Sequence, residues 1–501
     1  MTDASRGHDM NDKNLVGRAT RSSIWVVGAR LLVRVSDLLL LMVLTRILLP
    51  EDFGLVAIAT SVVAILDVVT DLPLATPLVR LDAPTELHLH TAFTLGTLRG
   101  LVIFGVMLAA AAPAAAFYGD PRLLPLLLVL AAASALYNLR SPKMALLFKQ
   151  LEFRQSFLVE VGGKLLGIFA ALLGAILLGN YWVLAISPVV SRIASVVLSY
   201  LYAPYRPGLS MKEWRYFWEF LGWMMPSQLI VAVAWQFDRL FLGRVVPTAA
   251  LGYYGLASNV TSILEQTVRR AVTAPLISGF VLASKELERV RRGYTMADTA
   301  IFTFGIPVYL LTFFLADPLL RLAFGEKWIA AVPLLAGLSL AMLPALVRIP
   351  FRPLAMALGR TDYVFNVALL SLAFRVPAVW GGFVLGGMQG VAFGIGLANI
   401  GNAVVSMIFI RKLISVSIRE QMLSNWRPVL AALPLAALAW PAGTMMAQMP
   451  IGLELGLAFV LSSALAVAVY FGAIFILWLV IGRPDGIEAR IARKICSRFG
   501  S

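Results

Sequence analysis

The chain has 501 residues, of which 60% are hydrophobic and only 14% are charged, and its formal net charge is +15. A soluble domain is about half apolar and about a quarter charged, so this composition excludes an ordinary water-soluble fold. The positive charges collect in short connections between apolar runs, which argues against a nucleic-acid-binding protein.

Apolar runs of helix length recur from Ser22 to Ile481. Each run is near the ~20 residues that cross a bilayer, and lipid offers the backbone no hydrogen-bond partner, so we expect transmembrane helices. The first run is too long for a signal peptide and should be retained as helix 1. The predicted helices span residues 22–47, 53–79, 91–117, 122–139, 156–178, 181–203, 217–243, 249–274, 294–316, 328–349, 362–385, 388–410, 428–448 and 453–481.

The distribution of Lys and Arg gives these helices an orientation, because both residues collect in cytoplasmic connections. If the chain starts inside and alternates sides, most of the 42 Lys and Arg fall in inside segments. The outside connections, with the helix ends beside them, contain five: Arg46, Arg122, Arg244, Arg321 and Lys327. We therefore predict a multi-pass, inner-type membrane protein with both termini in the cytoplasm and short external loops.

The sequence also contains an internal repeat. A shift of 198 residues places Leu44, Arg46, Gly54, Ala59, Val62, Ile65 and Leu66 on Leu242, Arg244, Gly252, Ala257, Val260, Ile263 and Leu264. Six helices form each repeat, and because six is even, the two repeats have the same orientation and are related by an axis along the membrane normal. Two-lobed secondary transporters, which rock to alternate access, have this architecture.

The predicted fold is an all-α polytopic membrane protein of about 14 transmembrane helices. It has two six-helix lobes related by pseudo-two-fold symmetry and two extra C-terminal helices. The predicted division is a cytoplasmic tail (1–21), an N-lobe of helices 1–6 (22–210), a C-lobe of helices 7–12 (211–412), helices 13–14 (413–482) and a basic cytoplasmic tail (483–501).

Several charged side chains fall at membrane depth, where each costs at least ~2.5–3.5 kcal/mol and usually faces an interior or a water-filled path. Arg30, Arg34, Arg192 and Arg375 are the deepest cations and outnumber the nearby acids. Guanidinium groups form forked bonds to phosphate and keep their charge when buried. These four arginines are the predicted substrate-binding residues of a cationic cavity, with structural pairing as the alternative.

The acids of the first helices have two possible roles. Asp37, Asp67 and Asp71 either neutralise the arginines of helix 1 or couple transport to a proton or cation. Glu160 and Lys164 are four residues apart, a spacing that predicts a structural ion pair on one helix face.

Catalytic and cofactor chemistry finds little support in the sequence. The histidines are His8, His88 and His90, and they form no metal-ligand cluster with acids or cysteine. The lone cysteine, Cys496, excludes an intrachain disulfide. The glycine-rich stretch 381–396 predicts close helix packing and a tight turn rather than a cofactor site. We therefore expect no enzyme activity, no metal and no cofactor.

The segment Leu44–Ala59, LTRILLPEDFGLVAIA, followed by Asp71-Leu-Pro-Leu, resembles the opening of polysaccharide transporters of the Wzx flippase type. These belong to the multidrug/oligosaccharidyl-lipid/polysaccharide exporter superfamily. The resemblance is specific over residues 17–95 and loose over the rest of the chain, and Pro73 stands where the family usually has glycine. Pro50 and the carboxylates of Glu51 and Asp52 look architectural, since acids suit a helix N-terminus.

The resemblance implies a secondary-type transporter that flips a polyprenyl-diphosphate-linked oligosaccharide across the inner membrane for O-antigen, capsule or exopolysaccharide biosynthesis. It implies the lipid bilayer, this lipid-linked cargo, and a polysaccharide polymerase with its chain-length machinery as partners. A drug/cation antiporter of the same superfamily is the alternative, although it should favour acidic cavities. A membrane polysaccharide polymerase or ligase would need a sizeable periplasmic loop, and a purely scaffolding protein leaves the deep arginines unexplained.

Overall fold

The computed structural model describes residues 28, 32–70, 74–81, 83–149, 152–221, 225–283 and 286–481. Within these residues every regular element is helical, which confirms the all-α prediction. The predictions for Arg30, Asp71, Pro73 and the two terminal tails lie outside the described residues.

Packing divides the chain into two compact units, Met1–Gly252 and Tyr253–Ser501. The lobe boundary predicted at residue 210 concerns the repeat and stays a prediction. The helices of the first unit are α1 (32–47), α2 (Pro50–Val69), α3 (Ala75–Arg80), α4 (Glu86–Tyr118), α5 (Leu123–Tyr137), α6 (Met144–Lys149), α7 (Phe153–Leu177), α8 (Trp182–Tyr202), α9 (Trp214–Leu221) and α10 (Met225–Val245).

The helix α11 (Thr248–Ala283) begins at the end of the first unit and continues into the second. The remaining helices are α12 (Leu287–Phe314), α13 (Ala316–Phe324), α14 (Val332–Ala341), α15 (Phe351–Ala357), α16 (Thr361–Ile414), α17 (Ile418–Leu423), α18 (Trp426–Met446) and α19 (Leu453–Val480). Two 3-10 segments, Glu326–Ala331 and Pro344–Arg348, flank α14.

By length and apolarity, eight helices of the described chain can cross a membrane, and a bent helix pair around residue 342 would make a ninth. One of these, α16, contains two spans, because Gly386 and Gly387 have non-helical dihedral angles and Gly387 has φ 56°. The break falls where the sequence predicts helix 11 to end and helix 12 to begin. The multi-pass fold is confirmed, and the arrangement is consistent with about 14 spans.

Glycines let the two halves of α16 approach backbone to backbone. A Cβ on Gly382 would overlap the carbonyl of Gly390, and one on Gly394 would overlap the carbonyl of Ala378. The prediction of close packing and a tight turn in this glycine-rich stretch is therefore confirmed.

The start of α2 has the architecture that its sequence predicts. Pro50 occupies the first helical position, where its missing N–H removes no helical bond. The Leu49 N–H donates to Asp52 Oδ2 at 3.0 Å. Together with Glu51, Asp52 also brings negative charge to the positive end of the helix dipole.

The repeat-equivalent glycines, Gly54 and Gly252, meet in a reciprocal contact. A Cβ on Gly54 would overlap the carbonyl of Thr248, and a Cβ on Gly252 would overlap the carbonyl of Pro50. Thr248 follows Pro50 by the same 198 residues that separate the glycines. The two helix starts therefore contact each other in equivalent ways, as elements related by a two-fold axis do.

The two histidines at the start of α4 hold the connection that follows α8. His90 Nδ1 and the Tyr205 hydroxyl are 2.6 Å apart, and burial raises the pKa of Tyr205. His88 Nε2 lies 3.8 Å from a carboxylate oxygen of Glu213. These contacts give both histidines a structural role.

In the second unit, α12 packs against α14 and α18, and α18 packs along α19. Arg321, on α13, is buried and donates to main-chain carbonyls just after the end of α18. Its Nη1 donates to Ala447 O at 3.1 Å and its Nη2 to Met449 O at 2.8 Å. A cation at this end of α18 also complements the helix dipole.

Candidate functional site

The first unit contains a cavity of about 880 Å³ among α2, α4, α5, α7 and α8. Four basic and two acidic side chains line it, and they are Arg99, Arg140, Lys164, Arg192, Asp67 and Glu160. Charged groups at the depth of these helices are costly, so a polar cavity lined by them is a candidate path for polar cargo.

Asp67 is the centre of a hydrogen-bonded group that we call the Asp67 network: Asp67, Arg99, Ser134 and Arg192. Arg192 Nη2 donates to Asp67 Oδ2 at 3.0 Å, and the Ser134 hydroxyl donates to Asp67 Oδ1. Arg99 Nη2 donates to the main-chain carbonyl of Asp67 at 2.7 Å. The network joins α2, α4, α5 and α8 at the cavity wall.

The Asp67–Arg192 pair is only partly buried, with 23% of the Asp67 side chain and 30% of the Arg192 side chain exposed. One nitrogen of the guanidinium fork faces Asp67, while Nη1 approaches Leu130 O at 3.5 Å, a long and weak contact. Arg192 is thus oriented by the protein and open to the cavity. Sequence reasoning predicted Arg192 and Asp67 separately, and the structure brings them together.

Lys164 forms an ion pair with Asp37 of α1. The spacing rule predicted a pair of Lys164 with Glu160, and both of these residues line the cavity. The ion pair with Asp37 links α7 to α1, and the pair with Glu160 stays a prediction. Arg34 lies one turn before Asp37 and is half-buried.

The second unit has a cationic group of its own, the Arg348 cluster: Glu265, Arg269, Arg348 and Arg375. Arg348 interacts electrostatically with the other three residues. Arg269 lies 3.9 Å from Glu265, and its Nε is buried without a hydrogen-bond partner. Three arginines against one glutamate leave a surplus of positive charge. The predicted residue Arg375 belongs to this cluster and not to the cavity of the first unit.

Arg348 and Arg269 were not among the predicted site residues. Arg348 ends the 3-10 segment Pro344–Arg348, at a pair of helices bent by 42°. Pro344 begins this segment and Pro350 follows it, and each removes a backbone N–H from the helix ladder. The two prolines are the sequence feature that could have pointed to Arg348, since the broken helices of transporters place polar groups at binding sites.

No three His, Cys, Asp or Glu side chains come together as a possible metal site in the described part of the chain. The cavity of the first unit and the Arg348 cluster of the second both contain guanidinium and carboxylate groups. Such groups bind and exchange anions and protons.

Comparison with known proteins gives a family match. The family model "Polysaccharide biosynthesis protein" matches residues 43–333. Lipopolysaccharide biosynthesis protein WzxC of Escherichia coli (strain K12) is 24% identical over 431 residues, covering 84% of this chain and 87% of that protein. Succinoglycan biosynthesis transport protein ExoT of Rhizobium meliloti (strain 1021) is 24% identical, covering 79% and 80%.

Two solved structures share the fold. Lipid II flippase MurJ in an inward closed conformation superposes with a TM-score of 0.68 at 13% identity, covering 92% of this chain and 99% of that one. An inward-facing multidrug resistance MATE family transporter of the MOP superfamily has a TM-score of 0.61 at 16% identity, covering 76% and 94%. The helical arrangement is therefore that of this class of transporter folds.

Proposed function

Because the chain belongs to the polysaccharide biosynthesis protein family, we propose that it is a secondary-type transporter that flips a polyprenyl-diphosphate-linked oligosaccharide across a bacterial inner membrane. The glycan would serve O-antigen, capsule or exopolysaccharide synthesis. The relatives named for lipopolysaccharide biosynthesis and for succinoglycan transport support this cargo class. Both termini would lie in the cytoplasm, and a polymerase with its chain-length machinery would receive the flipped glycan.

The observation that carries the proposal is the surplus of cations in each unit. Basic residues outnumber acids at the cavity of the first unit and in the Arg348 cluster of the second. A diphosphate carries the opposite charge and offers several oxygens to forked guanidinium groups. A cationic drug would be repelled by both groups, which disfavours the antiporter alternative. The short connections, such as 119–122 and 246–247, leave little room for the active site of a polymerase or ligase.

Arg192 would be the first contact of the diphosphate in the cavity. Its fork is held by Asp67, whose carboxylate occupies the place that a phosphate oxygen would take. Arg30 and Arg34 would add charge from helix 1, and Arg375 would act within the Arg348 cluster. A phosphate that displaces Asp67 replaces one anion by another, so Arg192 is never left buried without a partner.

The three acids of the first helices are the candidates for ion coupling. Protonation of Asp67 would release Arg192 to the cargo. Asp37 has the same relation to Lys164, with which it is paired. Asp71 is proposed from the sequence alone.

A flipping assay in proteoliposomes tests the function. The purified chain is reconstituted with a fluorescent polyprenyl-diphosphate oligosaccharide, and arrival in the opposite leaflet is measured by an impermeant quencher. We expect Arg192→Ala to lower the flipping rate at least ~10-fold, the loss that corresponds to about 1.4 kcal/mol of binding. Arg122→Ala, in an external-type turn where Arg122 pairs with Asp120, should flip at the wild-type rate.

Two further measurements separate function from folding. The Asp67→Asn/Arg192→Ala double variant removes both charges of the pair and should keep the wild-type thermal midpoint while still failing to flip. A wild-type protein that moves no lipid-linked oligosaccharide would contradict the function. Normal flipping by folded Arg192→Ala would contradict the assigned site.

A further inference from the structure

The second unit contains a buried carboxyl that belongs neither to the Arg348 cluster nor to the proposed cargo path. Asp298, on α12, is 2% exposed, and Asn425, immediately before α18, is 5% exposed. Asn425 Nδ2 donates to Asp298 Oδ2 at 2.6 Å. We call these two residues the Asp298 pair.

Each member of the Asp298 pair keeps one oxygen without a donor. Asp298 Oδ1 and Asn425 Oδ1 are both buried and have no hydrogen-bond partner. An ionised carboxylate would need donors at both oxygens, and leaving one bare in a dry interior costs several kcal/mol. A proton on Asp298 Oδ1 turns that oxygen into a donor. The neutral acid then has an O–H group that can donate a hydrogen bond, and Asn425 Oδ1 is an acceptor without a donor.

No cation within the described residues compensates a negative charge at this position. Asn425 is the hydrogen-bond partner of Asp298, and Tyr294, one turn earlier, is the titratable side chain in electrostatic contact with it. The charged residues on the neighbouring ends of α12, α17 and α18 are Glu288, Arg291, Arg292, Arg419, Glu420 and Arg427. Arg291 is engaged by Ile414 O and Glu288.

The other charged groups around α12 lie farther along it. Arg348 and Glu265 interact with Tyr309, about three turns after Asp298. Glu420 accepts from the Ser417 N–H at the start of α17. The surroundings of Asp298 are thus polar but contain no partner charge that would favour its ionised form.

The Asp298 pair joins several elements at one end of the second unit. Next to it, Gln421 accepts from the Tyr294 hydroxyl at 3.4 Å and donates to Met407 O and Val416 O, both at 3.1 Å. These bonds connect α12 with the end of α16 and with α17. A change of charge at Asp298 therefore acts on a junction of three helices.

We propose that Asp298 is a proton-binding site, held as the neutral acid by Asn425, and that release of its proton loosens the junction of α12, α16 and α17. In the release step the Oδ1–H bond breaks, the proton passes to water, and the electron pair stays on the carboxylate. The carboxylate then needs a second donor, which only entering water supplies. This inference goes beyond the transport proposed above and does not depend on the identity of the cargo.

The test compares the thermal midpoint of the detergent-solubilised full chain at about pH 4.5, near the pKa of an aspartate in the unfolded chain, and at about pH 9. A group kept neutral by the fold contributes stability at low pH and loses it as the pH rises through its ionisation. The wild-type midpoint should fall by about 5 °C or more between the two values. Asp298→Asn supplies the second donor permanently, so its midpoint should match the wild type at the lower pH and stay constant.

Asp317→Asn is the matched control in the same unit. Asp317 lies 3.6 Å from Arg321, so removing its carboxylate should lower the midpoint at both pH values and keep the wild-type slope. Infrared difference spectra supply a second readout. The wild-type protein at the lower pH should show the carbonyl band of a protonated carboxylic acid, which Asp298→Asn lacks and Asn425→Leu shifts.

Three results would overturn the proposal. The first is a loss of midpoint in Asp298→Asn at the lower pH as large as in the Asp317 control. The second is a wild-type midpoint equal at both pH values. The third, which decides the matter if Asp298→Asn does not fold, is a wild-type acid band that Asn425→Leu leaves unshifted or that is absent altogether.

Discussion

Asp67 forms three hydrogen bonds with side chains from three other helices. Its main-chain carbonyl and one carboxylate oxygen are engaged by Arg99 and Ser134. The other oxygen faces Arg192, whose guanidinium lines the cavity. The first two bonds position the acid, and the third is the bond that a phosphate would replace in the proposed function.

A double-mutant cycle measures this third bond. Asp67→Ala and Arg192→Ala should each lower the thermal midpoint, because each leaves a half-buried charge without its partner. The double variant should lose less than the sum, with a coupling of about 1–3 kcal/mol. The exposed pair Glu286–Arg289 is the control cycle and should couple by less than about 1 kcal/mol. Additive losses at Asp67 and Arg192 would mean that the pair contributes nothing specific.

The turn between α4 and α5 predicts a pH dependence of opposite sign to that of Asp298. The hydrogen bond from Arg122 lowers the pKa of Asp120. A lowered carboxyl pKa gives stability that is present above the unfolded value and lost as the pH falls through the folded one. Asp120→Asn should therefore flatten the acid side of the midpoint-versus-pH curve. Because Arg122 is largely exposed, the change should stay below about 1 kcal/mol. An unchanged acid limb would show that this pair does not stabilise the fold.

At the scale of helices, the crossing of α2 with the start of α11 leaves no room for a side chain. Gly54→Ala and Gly252→Ala should each cost about 1–3 kcal/mol or more, since the added Cβ meets backbone that cannot turn aside. Gly105→Ala is the control, because a Cβ there meets nothing within 4 Å. Membrane abundance and thermal midpoint should fall in the first two variants only. Equal behaviour of all three would contradict the close crossing.

The helices were largely predictable because lipid imposes a length and a composition on each span. The break in α16 was visible as glycine at Gly386 and Gly387. Helix 10 was predicted as one run, 328–349, but the structure divides it into 3-10 segments and α14, because Pro344 and neighbouring packing interrupt the helix ladder.

The site was less predictable than the spans. Arg192 and Asp67 are 125 residues apart, so only the packing of α8 near α2 brings them together. Arg348 was not among the predicted site residues, although the cluster around it contains the predicted Arg375. Asp298 was not among them either, since no local pattern reveals that its second oxygen lacks a donor.

For the whole molecule, each unit contains its own cationic group, and the loop charges predict the orientation of the chain. The sole cysteine, Cys496, offers a direct test of that orientation. An impermeant maleimide should leave Cys496 unlabelled in spheroplasts and label it in inverted vesicles. Gln448→Cys in a Cys496→Ser background lies in an exposed turn after α18 and should show the reverse pattern. Labelling of Cys496 in spheroplasts would place the C-terminus outside.

The reciprocal contact of Gly54 and Gly252 does not require that both helix starts belong to one chain. Two separate copies of a six-helix half, related by a two-fold axis, could make the same pair of contacts, as the subunits of symmetric dimers do. This is the interface expected of an ancestral homodimer whose gene was duplicated and fused. After such a fusion the two halves can diverge almost everywhere. A side chain gained at Gly54 or Gly252 would still overlap the backbone at the start of the opposite helix.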